Sequence, residues 1–63
     1  MRFEKRLLLI EDDNLVANML STMLGKSGFI CDHAEDENQA MHLFRNSQIN
    51  ASPYDLVVVD LVL

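Results

Sequence analysis

The 63-residue sequence contains one cysteine, one proline, two glycines and no tryptophan. With Cys31 alone an internal disulfide is impossible, and no Cys/His grouping offers a zinc framework. Positive charge is also scarce: five basic residues stand against ten acidic ones, for a net charge of −5. Arg2, Lys5, Arg6, Lys26 and Arg45 are too few to build the clustered basic surface that phosphate neutralisation needs, so this segment is not expected to bind nucleic acid. Long apolar runs are missing. None approaches the roughly 20 residues that span a bilayer, and Met1 to Arg6 followed by Leu7 to Ile10 is too short for a secretory signal. A soluble, cytoplasmic chain without a membrane partner is expected. The turn after Leu7 to Ile10 holds no glycine, which excludes both the dinucleotide fingerprint and the phosphate-cradling P-loop. Asn50-Ala51-Ser52 fits a glycosylation acceptor, a common chance match.

A chain of this length forms one domain at most and buries only about 60% of the surface its unfolded form exposes. Five elements are legible. Leu7 to Ile10 is a continuous apolar run, as in a strand buried on both faces of a parallel sheet. From Leu15 the period changes. Leu15, Met19 and Met23 form one i, i+4 row and Val16, Leu20 and Leu24 the adjacent one, together an apolar stripe for a core-facing helix from about Asn14 to Lys26. Asp13 or Asn14 is placed to cap it, and Gly25 or Gly28 to end it. Phe29 to Ala34 reads as a weaker strand, with Asp32 and His33 pointing to the sheet edge. Glu35-Asp36-Glu37-Asn38 then opens a second helix, from about Glu37 to Ser47, whose Ala40, Leu43 and Phe44 share a face. After a polar loop, Pro53-Tyr54-Asp55 leads into a third strand, Leu56 to Asp60 or slightly beyond.

Strands alternating with helices imply parallel pairing with right-handed crossovers. One helix on each face requires the winding to reverse, giving the strand order 2-1-3. In such a sheet ligands bind beyond the carboxyl ends of the strands, where the winding reverses. Here that point lies between strand one, which ends in Glu11-Asp12-Asp13, and strand three, which ends in Asp60. Two carboxylates about 4 Å apart repel by roughly 4 kcal/mol at an effective dielectric of 20. A hard divalent cation relieves this, and Mg²⁺ accepts one or two carboxylates while keeping waters and recruiting phosphoryl oxygens.

The string Leu7 to Asp13, the helix rows after it, Gly28-Phe29, Ala34-Glu35-Asp36, Ala40-Met41 and Tyr54 to Leu61 resemble the first half of a response-regulator receiver domain. The resemblance covers nearly the whole chain and implies a partial flavodoxin-like doubly wound α/β sheet. It also implies roles. Asp60 matches the phosphoacceptor that takes a phosphoryl group from a histidine kinase or phosphotransfer protein. Glu11 and Asp12 match the acidic pair, Asp12 ligating Mg²⁺ directly and Glu11 mainly through water, and the backbone carbonyl of Val62 would be a further ligand. Glu37 stands where receivers often carry glycine. The family's switch hydroxyl and lysine, on strands four and five, have no counterpart in these residues, so residues 1–63 are expected to be a truncated receiver.

Other residues have plainer expectations. Asp13 is expected to cap the helix rather than bind metal, and Glu35, Asp36 and Glu37 to form a solvated, helix-starting run. Met19, Met23 and Met41 are expected to fill the core. His33 and His42 read as isolated surface residues, and Cys31 as a small buried hydrophobe. Asp60-Leu61-Val62 lacks the second aspartate of a haloacid-dehalogenase nucleophile motif, and no catalytic triad is apparent, so an enzyme in its own right is not expected. Strand three, almost entirely apolar from Leu56 to Leu63, should present an open edge. The alternative to a phosphoacceptor is therefore a half-domain that self-associates through that strand, an interaction module without a working switch.

Overall fold

The computed structural model describes residues 4–60. Five elements follow in order: β1 (Lys5–Ile10), α1 (Asn14–Lys26), β2 (Phe29–Ala34), α2 (Glu37–Ile49) and β3 (Leu56–Val59). The three strands form one sheet in the order β2-β1-β3, with both pairings parallel. This is the expected partial doubly wound α/β arrangement. α1 and β2 have the expected bounds; β1 begins two residues earlier than expected and α2 ends two residues later.

Each boundary has a local cause. Asp13, in extended conformation, caps α1 by accepting the amides of Leu15 and Val16, which satisfies two donors that a helix start leaves without partners. Gly28, at φ 95, closes that helix and donates to the Gly25 carbonyl at 3.1 Å; positive φ carries no Cβ penalty for glycine. Asp36 caps α2 by accepting the Gln39 amide. Its other end has the same left-handed turn without a glycine: Ala51 sits at φ 55, with bonds from its own amide to Gln48 and from Ser52 to Ser47.

The core has two small halves, one on each face of β1, because alternate side chains of a strand point to opposite faces. Leu7 and Leu9 meet Ala17, Leu20 and Leu24 of α1, with Phe29, Cys31 and Val58 alongside. Leu8 meets Ala34 and Ala40, with Ile10, Leu43 and Tyr54 around them. Cys31 packs as the small apolar side chain expected, but it is only half-buried. Leu7, Leu8 and Leu9 are at most 2% exposed, as befits the central strand.

Three expectations are corrected. The buried face of α1 is Ala17-Leu20-Leu24, flanked by half-buried Val16, whereas Leu15, Met19 and Met23 are 60 to 70% exposed. The small Ala17 side chain lets the helix approach the sheet closely, and centring on it turns the Leu15 row away. Met41 is exposed as well, so these three methionines do not fill the core. On α2 the inward positions are Ala40, Leu43 and Ser47; Phe44 lies at the exposed margin while Ser47 is buried, its hydroxyl donating to the Phe44 carbonyl at 2.6 Å. Among the described residues no helix is long and apolar enough to cross a membrane. β3 is the least covered strand, because α1 packs chiefly on β2 and α2 on β2 and β1. Leu56, Val57 and Val59 are accordingly exposed.

Candidate functional site

The carboxyl ends of β1 and β3 lie side by side because the register pairs Ile10 with Val59. One residue further, the Asp60 amide donates to the Ile10 carbonyl and the Glu11 amide donates to the Ala34 carbonyl, each at 3.0 Å. Three strand ends are thus tied through two consecutive residues, and Glu11 and Asp60 come together at the point where the winding reverses. Asp12 follows in the bend before α1 and is exposed.

Glu11 is the unusual member. Only 1% of it is exposed. Its Oε1 accepts the Asp13 amide at 2.9 Å, while Oε2 is buried without a hydrogen-bond partner. The Asp60 carboxyl beside it is the main reason that the Glu11 carboxyl is held above the usual carboxylate range; burial and Asp12 act in the same direction, against the Asp13 amide. A buried acid with an orphaned oxygen, next to other acids, favours a proton or a cation at that oxygen.

These residues suit a hard cation by donor chemistry, since all are carboxylates, and the unpartnered Glu11 Oε2 is an available acceptor. Among the described residues no group of three or more His, Cys, Asp or Glu side chains is placed to hold a metal ion. Mg²⁺ does not require such a group, because it commonly keeps several waters and takes one or two carboxylates. Val62, expected to add a backbone carbonyl, lies outside the described residues, as do Leu61 and Leu63. Asp13 is engaged by the helix cap, as expected.

Two features were not anticipated from sequence. His33 is not isolated: its Nε2 lies 2.7 Å from the Glu11 carbonyl, and the residue is half-buried. It also borders a cavity of about 380 Å³ with Asn38, Gln39, His42 and Leu43. At the opposite end of the sheet, Arg6 and Tyr54 share one oxygen of Asp32, at 2.8 and 2.6 Å. The Arg6 guanidinium stands 4.6 Å over the Tyr54 ring, and its other arm donates to the Ser52 carbonyl. Asp55 completes the arrangement, exchanging two 2.8 Å bonds with the Arg6 main chain. This cluster ties the segment before β3 to the start of β1. Its only sequence signal is an arginine at the start of an apolar strand, which does not name a partner.

Comparison with known proteins gives a consistent picture. The chain is 45% identical over 58 residues to the transcriptional regulatory protein QseB of Haemophilus influenzae, 92% of this chain and 24% of that protein. It is 36% identical over 62 residues to the alkaline phosphatase synthesis transcriptional regulatory protein SphR of Synechococcus elongatus, again 92% of this chain and 24% of the relative. The probable transcriptional regulatory protein SilR of Salmonella typhimurium is 34% identical over 58 residues, 92% of this chain and 23% of the relative. The chain therefore spans about a quarter of the length of these curated relatives. No protein-family model matches it, and no solved structure matches it significantly. With parallel strands in the order β2-β1-β3 and similarity to these regulators over 92% of its length, the chain has the winding and the relatives of a response-regulator receiver domain.

Proposed function

We propose that residues 1–63 are the phosphoacceptor half of a two-component receiver domain, with Asp60 as the residue that is phosphorylated. The observation that carries this reading is the junction of β1 and β3: the Asp60 amide is bonded to Ile10, and its carboxyl stands beside the buried, half-satisfied carboxyl of Glu11. The donor is a phosphohistidine on a histidine kinase or phosphotransfer protein in the cytoplasm. A carboxylate oxygen of Asp60 attacks phosphorus, the phosphorus–nitrogen bond breaks, and the donor imidazole, protonated at its other nitrogen, departs neutral. An acyl phosphate remains on Asp60. Such a transfer needs positioning and charge neutralisation more than covalent assistance from the protein.

Glu11, Asp12 and Asp60 are the side chains that would hold Mg²⁺, with the Val62 carbonyl as a further ligand. The ion would neutralise the acidic cluster and the incoming phosphoryl oxygens. Glu11 contributes a fixed, buried carboxyl behind the site, and Asp12 an exposed one at its rim. Since the relatives carry transcriptional regulatory names, the output of the complete protein is control of transcription, through parts other than this segment.

The test is incubation with a small acyl-phosphate donor and Mg²⁺, followed by intact-mass measurement. One phosphoryl group should add to the wild type and none to Asp60→Asn. Equal labelling of that variant, or no labelling of the wild type, refutes the assignment. A second reading is favoured by the exposed apolar residues of β3, Leu56, Val57 and Val59: the chain pairs through that strand with a second copy. Light scattering showing a monomer at micromolar concentration would refute it.

A further inference from the structure

The main chain of Glu11 is held at both of its polar groups. Its amide continues the parallel ladder to the Ala34 carbonyl at 3.0 Å. Its carbonyl cannot continue it. β2 stops at Ala34, and the chain beyond turns into α2, with the Glu35 amide donated to the Gln39 side chain at 2.9 Å. His33 fills the gap, its Nε2 lying 2.7 Å from the Glu11 oxygen. A carbonyl oxygen can only accept, so Nε2 carries the hydrogen.

That carbonyl belongs to the peptide joining Glu11 to Asp12, and a peptide unit is planar. Holding the oxygen restrains that plane, and with it the course of the chain as it leaves β1 and the place of the Asp12 Cα from which the side chain starts. Glu11 and Asp60 are each anchored by ladder bonds. Among the described residues Asp12, in the bend and exposed, makes no ladder bond. We propose that His33 is a positioning residue of the acidic site: by donating to the Glu11 carbonyl it restrains the Glu11–Asp12 peptide plane and helps hold the Asp12 carboxylate in line with those of Glu11 and Asp60 for a divalent cation. This rests on the reading of that site as a Mg²⁺ site.

The experiment is calorimetric titration of the chain with Mg²⁺ alone, for wild type, Asp12→Asn, His33→Leu and His33→Gln, with unfolding followed in chelator. Groups that orient a metal site change affinity by roughly 10- to 100-fold when removed. His33→Leu, which keeps the apolar bulk and loses the donor, should weaken Mg²⁺ binding about tenfold. His33→Gln, which keeps an N–H donor, should recover most of it, a rescue that a purely structural role does not require. Wild-type affinity in His33→Leu, with binding lost in Asp12→Asn, overturns the role of His33 and leaves the site standing. Equal affinity in wild type and Asp12→Asn, or no binding by wild type, overturns the site reading and this inference with it. Should His33→Leu fail to fold, nitrogen NMR of the wild-type imidazole decides: Mg²⁺ should shift the His33 Nε2 and Asp12 amide resonances together, and an unmoved His33 signal overturns the proposal.

Discussion

Replacing Tyr54 by phenylalanine removes one oxygen from the cluster that ties the start of β1 to the segment before β3. The phenol donates to Asp32 at 2.6 Å, and the same Asp32 oxygen receives Arg6 at 2.8 Å. A hydrogen bond to a charged group contributes about 1.5–3 kcal/mol. Asp32 would keep Arg6, and the Arg6 guanidinium over the ring would keep a phenyl face to stack on. The low end applies, about 1.5 kcal/mol, which in a domain this small lowers the melting temperature by roughly 6–12 °C. The same contacts make a pH prediction. Burial first, and the Asp32 bond second, push the Tyr54 phenol up from 10.0 to about 12. A raised folded-state pKa means that the neutral phenol is favoured by folding. Its contribution is fully present below pH 10 and lost as the pH rises through about 12. The stability difference between wild type and Tyr54→Phe should therefore be constant through neutral pH and shrink towards zero across that alkaline window. Thermal unfolding by circular dichroism gives the difference, and phenolate absorbance of the folded wild type gives the midpoint. A midpoint at the ordinary value, or a Tyr54→Phe variant within about 0.5 kcal/mol of wild type, would refute the reasoning.

Gly28→Ala should destabilise by about 1 kcal/mol in urea unfolding, because φ 95 strains an L side chain even though nothing lies within 4 Å of the added Cβ. Ala51→Gly, at φ 55, should stay within about 0.5 kcal/mol of wild type, since relief of strain is offset by a more flexible unfolded chain. Ala17→Leu should cost about 1–3 kcal/mol by overpacking the α1 face, whereas Met19→Glu should stay within about 0.5 kcal/mol; the reverse order would contradict the assigned buried face. Asp60→Asn removes the main cause of the raised Glu11 pKa. A raised acid pKa favours the protonated fold below the ordinary 4.5 and opposes folding once Glu11 ionises. The variant should therefore be more stable than wild type at neutral pH, with the difference fading in acid, and carboxyl-carbon NMR should show Glu11 titrating nearer its ordinary value.

Much of the fold was legible because its signals are local. Asp13 and Gly28 mark the ends of α1 within a few residues of the groups they satisfy, and the change of apolar period at Leu15 separates strand from helix. The choice between two adjacent apolar rows on that helix was not legible. Both rows fit a helical stripe, and only contact with Leu7 and Leu9 selects the face containing Ala17. The Arg6–Asp32–Tyr54 cluster was hidden for a related reason: its members lie 26 and 22 residues apart from Asp32 in the chain and meet only once both neighbours of β1 are in register. His33 looked isolated because its partner is a backbone carbonyl, which no side-chain pattern reports.

The sequence by itself determined the order of elements, the parallel winding around β1 and the acids that follow the strands, because these depend on residue type and spacing along one chain. The tertiary structure decided which acid is perturbed. Glu11 is buried with an orphaned oxygen while its neighbour Asp12 is exposed, and Asp60 rather than Asp12 is its foremost influence. Burial and the proximity of like charges depend on three strands lying in register, and neither quantity exists in an isolated segment.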